Sequence, residues 1–535
     1  MQCAARDHYC RAVGDGVLDA IEHRFPLPFF NADKLIELMH FLSDVLPRQK
    51  THHDQLQIRI GKQHFAKILV RECTFFDVCY ISFHARSIPN GNNDVGRSVE
   101  TQYYGRVSHI IRNFEELATI KEREDALAIA EAGYENVNTE NAILRKMRIE
   151  NEELVVEDRR YPLAGRRVFF VGIGKCAIVA GRTIEQLLGE RLTAGVALDV
   201  SAMEGGLTKI ETYIGTHPEP SDVNRRATER IVGFLSQCRE DDLVLMLISG
   251  GGSALLCLHD APMTCLDERT LFDELTSHGA SIQELNTVRK HISKARGGGL
   301  AKAAYPAEVI GLIISDVPGD NFQYIASGPT TQDDSTVADA RAVLAHYEIQ
   351  PPAGVAFIET PKESKYFERV TNLLLVTGRD ALDAMRAEAA RLGYAATVVD
   401  EHFADAARDI GRSVAAKLHD APSRSAFLYA GESTVTLGEE HGKGGRNQEM
   451  ALATLDDVRV DEIILPFASD GHDNSDHAGA IADQVTREHA EQRNLSISEH
   501  LSAHTSYDFF TTTGDFLNTG HTGSNVSDLI IAIKT

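Results

Sequence analysis

From Ile120 onward, short apolar runs alternate with segments whose apolar residues recur every three or four positions. Val168–Val171, Leu243–Ile248, Val309–Ile314, Leu373–Val376, Ala426–Tyr429 and Ile463–Ala468 are almost wholly apolar, the pattern of strands buried on both faces. Ala227–Leu235 and Ala381–Leu392 have helical spacing, and Glu122–Ala132 is predicted as a charged helix closed by Gly133. Strand and helix in alternation predict an α/β fold around a parallel sheet covered on both faces. Gln350–Ser364, which contains three prolines, is the predicted linker within it.

The first 120 residues follow another pattern. Asn31–Leu46 has one apolar face and stops at Pro47, so it is predicted as an amphipathic helix. Leu56–Ile60 alternates like a strand, Ile68–Val70 and Phe75–Phe83 are apolar and β-prone, and Pro89–Asn93 is a turn. The expectation is a small α+β module of unassigned role over residues 1–118, with His52 and His53 as ordinary surface or core residues.

Charge sharpens this division. The chain of 535 residues carries 54 Lys plus Arg against 78 Asp plus Glu, a net charge of −24. Residues 1–120 are neutral, with 14 of each sign, so the whole excess lies beyond them. Such acidity argues against a nucleic-acid or anionic-membrane partner, which needs a broad basic face. No apolar run approaches the ~20 residues of a bilayer span, and the N-terminus lacks the basic-then-apolar layout of a signal peptide. A cytoplasmic protein is expected. Its eight cysteines form no CxxC pair and are expected to be free, mostly buried thiols.

In an open parallel sheet the ligand lies beyond the carboxyl ends of the strands. Several loops there are rich in glycine. Gly172-Ile-Gly174-Lys175-Cys176-Ala177 follows the first strand and fits the loose dinucleotide fingerprint, with Asp199 near the place of a ribose-binding acid. Its lysine favours an anionic ligand. Ser249-Gly250-Gly251-Gly252-Ser253 follows the second, a candidate anion nest with two hydroxyls. Between Glu284 and Glu308 there is no acid but five basic residues, Arg289 among them, which points to a bound anion. Asp316 stands just after Val309–Ile314, where a carboxylate can hold Mg²⁺ or take a proton from a hydroxyl. The Ser327-Gly328 turn follows it. Near the C-terminus, Glu432, the Lys443–Glu449 segment with Gly444, Gly445, Arg446, Asn447 and Glu449, and the pair Asp470 and Asp473 complete the set. Several anion-binding loops with interspersed cations and strand-end aspartates fit phosphoryl transfer, whose catalysis is mainly positioning and charge neutralisation.

GIGKCA, GTHPEPSD, SGGGSALL, ELNTVRKHISKARGGGLA, SDVPGD, IASGPT, AGESTV, GKGGRNQE and TGHTGSNV together resemble, in order, the glycerate 2-kinase family that carries a C-terminal MOFRL domain. The resemblance covers about residues 120–535. It implies a Rossmann-like domain over 119–349 and a C-terminal α/β region over 365–535, with the smaller MOFRL domain from about 425. It further implies transfer of phosphate from ATP, with Mg²⁺, to the 2-hydroxyl of D-glycerate in a cleft between the two. Lys175 and Arg446 would then be central, with Asp316 or Asp470 holding Mg²⁺ or acting as base. Gly172, Gly174, Ser249 to Ser253, Asn286, Arg289, Ser327, Gly328, Glu432, Gly444, Gly445, Asn447 and Glu449 would line the substrate and nucleotide sites. Two other readings are an NAD(P)H-dependent hydroxypyruvate reductase and a non-catalytic sugar-acid sensor.

Overall fold

The computed structural model describes residues 109–535, apart from 204, 318, 439 and 440, together with five strands nearer the N-terminus. The chain divides into two compact units, Met1–His109 and Ile110–Thr535. In the first, Gln2–Cys3, Asp54–Ile60, His64–Arg71, Tyr80–Ser87 and Gln102–Tyr103 pair as an antiparallel sheet in chain order. Three of them coincide with or overlap predicted β segments. The predicted helix 31–46, the turn 89–93 and the His52-His53 pair lie outside the described residues.

In the second unit, six strands form one parallel sheet: β1 (Val168–Ile173), β2 (Leu192–Asp199), β3 (Ile210–Ile214), β4 (Leu243–Ile248), β5 (Glu308–Ile314) and β6 (Val370–Val376). Their order is β3-β2-β1-β4-β5-β6, the doubly wound Rossmann arrangement, whose order reverses between β1 and β4. Both faces are covered, which is why the central strands are almost wholly apolar. Phe169, Val171 and Ile173 pack with Ala227, Ile231 and Leu235 of helix Asp222–Leu235. Phe170 points the other way, toward Gly181 of helix Ala177–Leu188.

The second sheet contains β7 (Ala395–Phe403), β8 (Ser425–Gly431), β9 (Glu462–Ala468), β10 (Gly479–Ala480), β11 (Phe516–Leu517) and β12 (Asp528–Lys534), in the order β7-β8-β12-β9-β10-β11. It is mixed rather than parallel. β12 runs antiparallel between β8 and β9, placing Asp528 opposite both Gly431 and Ala468. Burial on both faces makes β8 and β9 resemble parallel strands in sequence, although their partner enters from the opposite direction.

Three expectations change here. The segment 350–364 has almost no regular structure, as predicted, but the strand after it completes the first sheet, so the sheet does not end at residue 349. The first long helix, Lys121–Val137, continues through Gly133. A Cβ there would crowd Met385 of helix Gly378–Arg391, so glycine serves close helix packing rather than termination. This helix also belongs to the second lobe. Arg123, fully buried, bonds both Asp483 oxygens at 2.6 and 2.7 Å and Asp515 at 2.8 Å, and Tyr134 donates to the Ala468 carbonyl. Finally, Cys257 and Cys265 are paired as a disulfide. Cys176 and Cys238 are free and buried.

Candidate active site

The carboxyl ends of β1, β4 and β5 lie side by side, and their loops form one wall of a cleft. β1 and β4 are in register, and after them Lys175 N–H donates to Gly250 O at 3.0 Å, across the point where strand order reverses. Gly174 has φ 114° and stands where any Cβ would run into Ser249. Gly250 is equally constrained, because a Cβ would collide with the Asp316 carboxylate and the Asn525 amide. The two glycines let backbone and charged groups approach at contact distance.

The opposite wall is the edge of the second sheet. Glu432 follows β8, Asp470 follows β9, and Asp528 opens the antiparallel strand between them. Lys175 crosses the cleft to Asp470, with Nζ 2.8 Å from Oδ2. Asn525 Nδ2 donates to Asp316 Oδ2 at 3.2 Å, a second link across it. Arg446 pairs with Glu432 through Nη1, and its Nε lies 3.2 Å from Asp528 Oδ2.

These charges alter one another. Burial opposes the Lys175 ammonium, but the charge and hydrogen bond of Asp470, followed by the charge of Asp316, outweigh it and hold its pKa above the ordinary value. Burial and the charge of Glu432 push the Asp316 carboxyl up to about 6, against Lys175 and Asn525. Burial lifts Asp528 to about 7 despite Arg446. For Arg446 burial is outweighed by Asp528 and Glu432, so its pKa is raised. His217, beside Gly251 and preceding a cis proline, is lowered to about 4 by burial and by Lys175, and is neutral at pH 7.

A polar chain lies behind the Gly-rich loop. Ser253 Oγ is 2.9 Å from Ser327 Oγ, which donates to Asn286 Oδ1 at 2.6 Å. Ala326, Ser327 and Gly328 all have φ between 49° and 62°, a left-handed turn that costs energy at the two non-glycine positions. Arg296 Nη2 holds the Ser253 carbonyl at 2.6 Å and Glu268 Oε1 at 2.8 Å. Burial works against the Glu268 charge, but Arg296, then His259 and Arg289, bring its pKa down to about 2.

Not every predicted residue reaches this site. Glu449 turns into the second lobe, where Arg408 Nε at 2.6 Å neutralises it and His504 lies at 3.1 Å. Ser249 is fully buried, and its hydroxyl serves the Cys176 N–H and the Ile173 carbonyl, so of the two hydroxyls only that of Ser253 remains at the nest, where it pairs with Ser327. Asp473 caps helix Arg446–Thr454, accepting the N–H groups of Asn447 and Gln448 at 2.9 and 2.8 Å. Gly444 and Gly445 lie against Ser506 and Asp473. Asn447 donates to Asp473 through Nδ2 at 3.2 Å.

The acid-free basic run is neutralised from elsewhere in the chain. Lys290 pairs with buried Asp333 at 3.1 Å, Lys294 with Asp260 and Arg296 with Glu268. Arg289 stacks on Phe272 at 4.2 Å, and its Nε is 4.0 Å from Glu268. Local charge in sequence therefore overstated the anion site, because the compensating acids are distant in sequence. Asp199 likewise accepts the N–H groups of Ile178, Val200 and Ser201 at 2.9, 2.7 and 3.3 Å. Its carboxylate occupies the start of helix Ala177–Leu188, the place where a dinucleotide pyrophosphate would bind.

The sequence placed His217 and Asn525 in the GTHPEPSD and TGHTGSNV motifs without giving them a role, and Glu268 and Asp528 were not among its candidates. Asp528 had one signal, a lone acid opening an apolar terminal run. Glu268 had none, lying on an ordinary amphipathic helix.

The buried polar atoms of the second wall bear on what the cleft holds. Ser433 Oγ, His472 Nε2, Ser524 Oγ and Ser527 Oγ have no protein hydrogen-bond partner. Buried polar groups are rarely left so, and these atoms lie in the loops around Glu432, Asp470 and Asp528. Among the described residues no three carboxylates converge within 4.8 Å.

Strand-end loops of one Rossmann-ordered sheet and one mixed sheet, bridged by a lysine–aspartate pair, define a small-molecule-binding α/β protein of the phosphotransferase kind. The family model described as "Domain of unknown function (DUF4147)" matches residues 125–358, and that of the MOFRL family matches 425–528. A protein named glycerate 2-kinase from Pyrococcus horikoshii is 33% identical over 434 residues, covering 77% of this chain and 97% of its own. A protein of Agrobacterium vitis named as a hydroxypyruvate reductase is 35% identical over 379 residues, 68% of this chain and 86% of its own. The crystal structure of a glycerate kinase from Thermotoga maritima superposes with a TM-score of 0.68 at 32% identity, over 78% of this chain and all of that one. The chain belongs to the glycerate 2-kinase family with a MOFRL domain, and it is a kinase.

Proposed function

We propose that the protein transfers the γ-phosphoryl group of ATP to the 2-hydroxyl of D-glycerate, or a similar small hydroxy acid, giving 2-phosphoglycerate and ADP. The observation that carries this reading is the cleft in which Lys175 of the first lobe meets Asp470 of the second at 2.8 Å, beside buried Asp316 and the Arg446 cluster.

Lys175 and Arg446 neutralise the phosphoryl oxygens, and backbone N–H groups of Gly250 to Gly252 hold them. Ser253, positioned by Ser327, and the partly exposed Arg289 orient the hydroxy acid and its carboxylate. Asp316, with a pKa lifted to about 6, is ionised at pH 7 yet basic enough to take the hydroxyl proton. Asp470 would hold Mg²⁺, which when bound supplies charge neutralisation between the phosphates. The position of Asp199 at the start of helix Ala177–Leu188 disfavours NAD(P)H as cofactor, so the reductase reading is not retained.

The experiment is a coupled ADP-release assay with D-glycerate, L-glycerate and related hydroxy acids, run beside NADH oxidation with hydroxypyruvate. ADP release with D-glycerate and no NADH oxidation is expected. The reverse would overturn the reading, and tight glycerate binding without turnover would favour the sensor.

A further inference from the structure

The Cys257–Cys265 pair stands apart from Cys176 and Cys238, the other cysteines among the described residues, in what surrounds it. Cys257 follows the short helix that opens at the Gly-rich loop, four residues beyond Ser253. Cys265 is the first residue of helix Cys265–Ser277, one turn before Glu268. His259 lies between them, fully buried in its side chain. Its Nδ1 is 3.9 Å from Cys257 Sγ, and its Nε2 is 2.5 Å from Glu268. The imidazole is thus oriented by a carboxylate on one side and faces sulfur on the other. Cys257 has no exposed surface, whereas Cys265 lines a cleft of about 370 Å³ with Pro220, Ser221, Met263 and Arg269.

We propose that Cys257 and Cys265 form a reversible thiol–disulfide site that tightens or loosens the hydroxy-acid side of the active site. Glu268 is the link, since it holds Arg296, which holds the Ser253 carbonyl. With the disulfide closed, the end of the Gly-rich loop and the helix carrying Glu268 are joined covalently. When it opens, that connection rests on the non-covalent contacts of Glu268 with Arg296 and His259.

The exchange balances without metal or bound cofactor. Cys265, reached through the cleft, attacks as thiolate one sulfur of a low-molecular-weight disulfide and releases one thiolate. Cys257 gives its proton to His259 Nδ1, and its thiolate attacks the sulfur of Cys265, expelling the second. Two cysteine S–H bonds and one external S–S bond are lost. One protein S–S bond and two external S–H bonds are formed, and the cysteine protons end on the released thiols. Reduction reverses each step.

The test uses the full chain equilibrated in buffers of reduced and oxidised dithiothreitol, with alkylation and peptide mapping to separate this pair from the other cysteines. Cys257 and Cys265 are expected to be protected together in oxidising buffer and alkylated together in reducing buffer. The KM for the hydroxy acid is expected to rise severalfold on reduction with kcat changed less than twofold. Cys265→Ser should keep the KM of the reduced protein in every buffer. This kinetic arm rests on the proposed kinase reading, so hydrogen exchange over 249–257 and 289–297 is measured in parallel. Faster exchange in the reduced chain and in Cys265→Ser supports the switch even if no substrate is turned over. Independent alkylation of the two cysteines, identical exchange in both states, or protection of both thiols that only a chelator removes, which would indicate a metal ion on Cys257, His259 and Cys265, would overturn it.

Discussion

Lys175 and Asp470 meet at 2.8 Å although 295 residues separate them. Each follows the carboxyl end of a central strand, one in each lobe, so the contact exists only when both sheets are folded and their edges face one another. Coulombic attraction to Asp470 offsets the burial of the lysine and keeps it charged. A cation held in this way is pre-organised for an anionic ligand and needs little reorganisation when charge develops.

Replacing that cation tests its role. Lys175→Ala is expected to lower kcat by about 10²–10⁴-fold while the melting temperature stays within a few degrees of wild type. Steady-state kinetics beside thermal unfolding checks this. Wild-type turnover in the variant would remove Lys175 from the mechanism.

Asp316 sets the pH dependence. Its carboxyl titrates at about 6 in the folded chain, and a proton acceptor must be ionised, so kcat/KM should rise with pH and level off above about 6. Asp316→Asn should lose this acidic limb together with most of the activity. A limb that persists in the residual rate of the variant would assign the ionisation to another group. For stability the sign is opposite. A carboxyl raised from 3.8 favours the folded state below its unfolded pKa, and this contribution is lost as pH rises through about 6.

Asp199 provides the contrast between a structural and a nucleotide-binding acid. Because its oxygens are occupied by N–H groups at the start of helix Ala177–Leu188, Asp199→Ala should cost about 1–3 kcal/mol by leaving buried donors unpaired. The KM for ATP should change less than twofold. Denaturant titration and kinetics read the two effects separately. A large loss of nucleotide affinity with unchanged stability would contradict this assignment.

The unit boundary can be tested by truncation. A chain beginning at Ile110 should fold and retain kinase activity, since Ile110–Thr535 is a compact unit. A chain beginning at Asn138 should not, because it lacks Arg123 and Tyr134. In the full chain, Arg123→Met leaves Asp483 and Asp515 buried without their partner and is expected to cost about 3–5 kcal/mol. Chemical unfolding and circular dichroism of these proteins decide the matter.

Much of the architecture was legible in the sequence. Strands buried on both faces must be apolar throughout, so β1, β4, β5, β8 and β9 were visible as runs, and glycines at their ends marked the loops. β2, β3 and β7 were not visible, because they include Leu192-Thr193-Ala194, Ile210-Glu211-Thr212 and Asp400-Glu401-His402, whose polar positions face solvent at or near sheet edges. Gly133 appeared to end a helix because the helix packed against it was 245 residues further on.

The sequence by itself determined the composition of the site: which loops carry glycine, that Lys175, Arg446, Asp316 and Asp470 stand at strand or helix ends, and which family the motifs resemble. Only the tertiary structure decided which of these charges remain available to a ligand. Lys290, Lys294 and Arg296 are taken up by Asp333, Asp260 and Glu268, Glu449 by Arg408, and Asp199 by a helix start. Local sequence lists charges but not their partners. Pairing is set by which distant segments share a buried space, where an unpaired charge is too costly to persist.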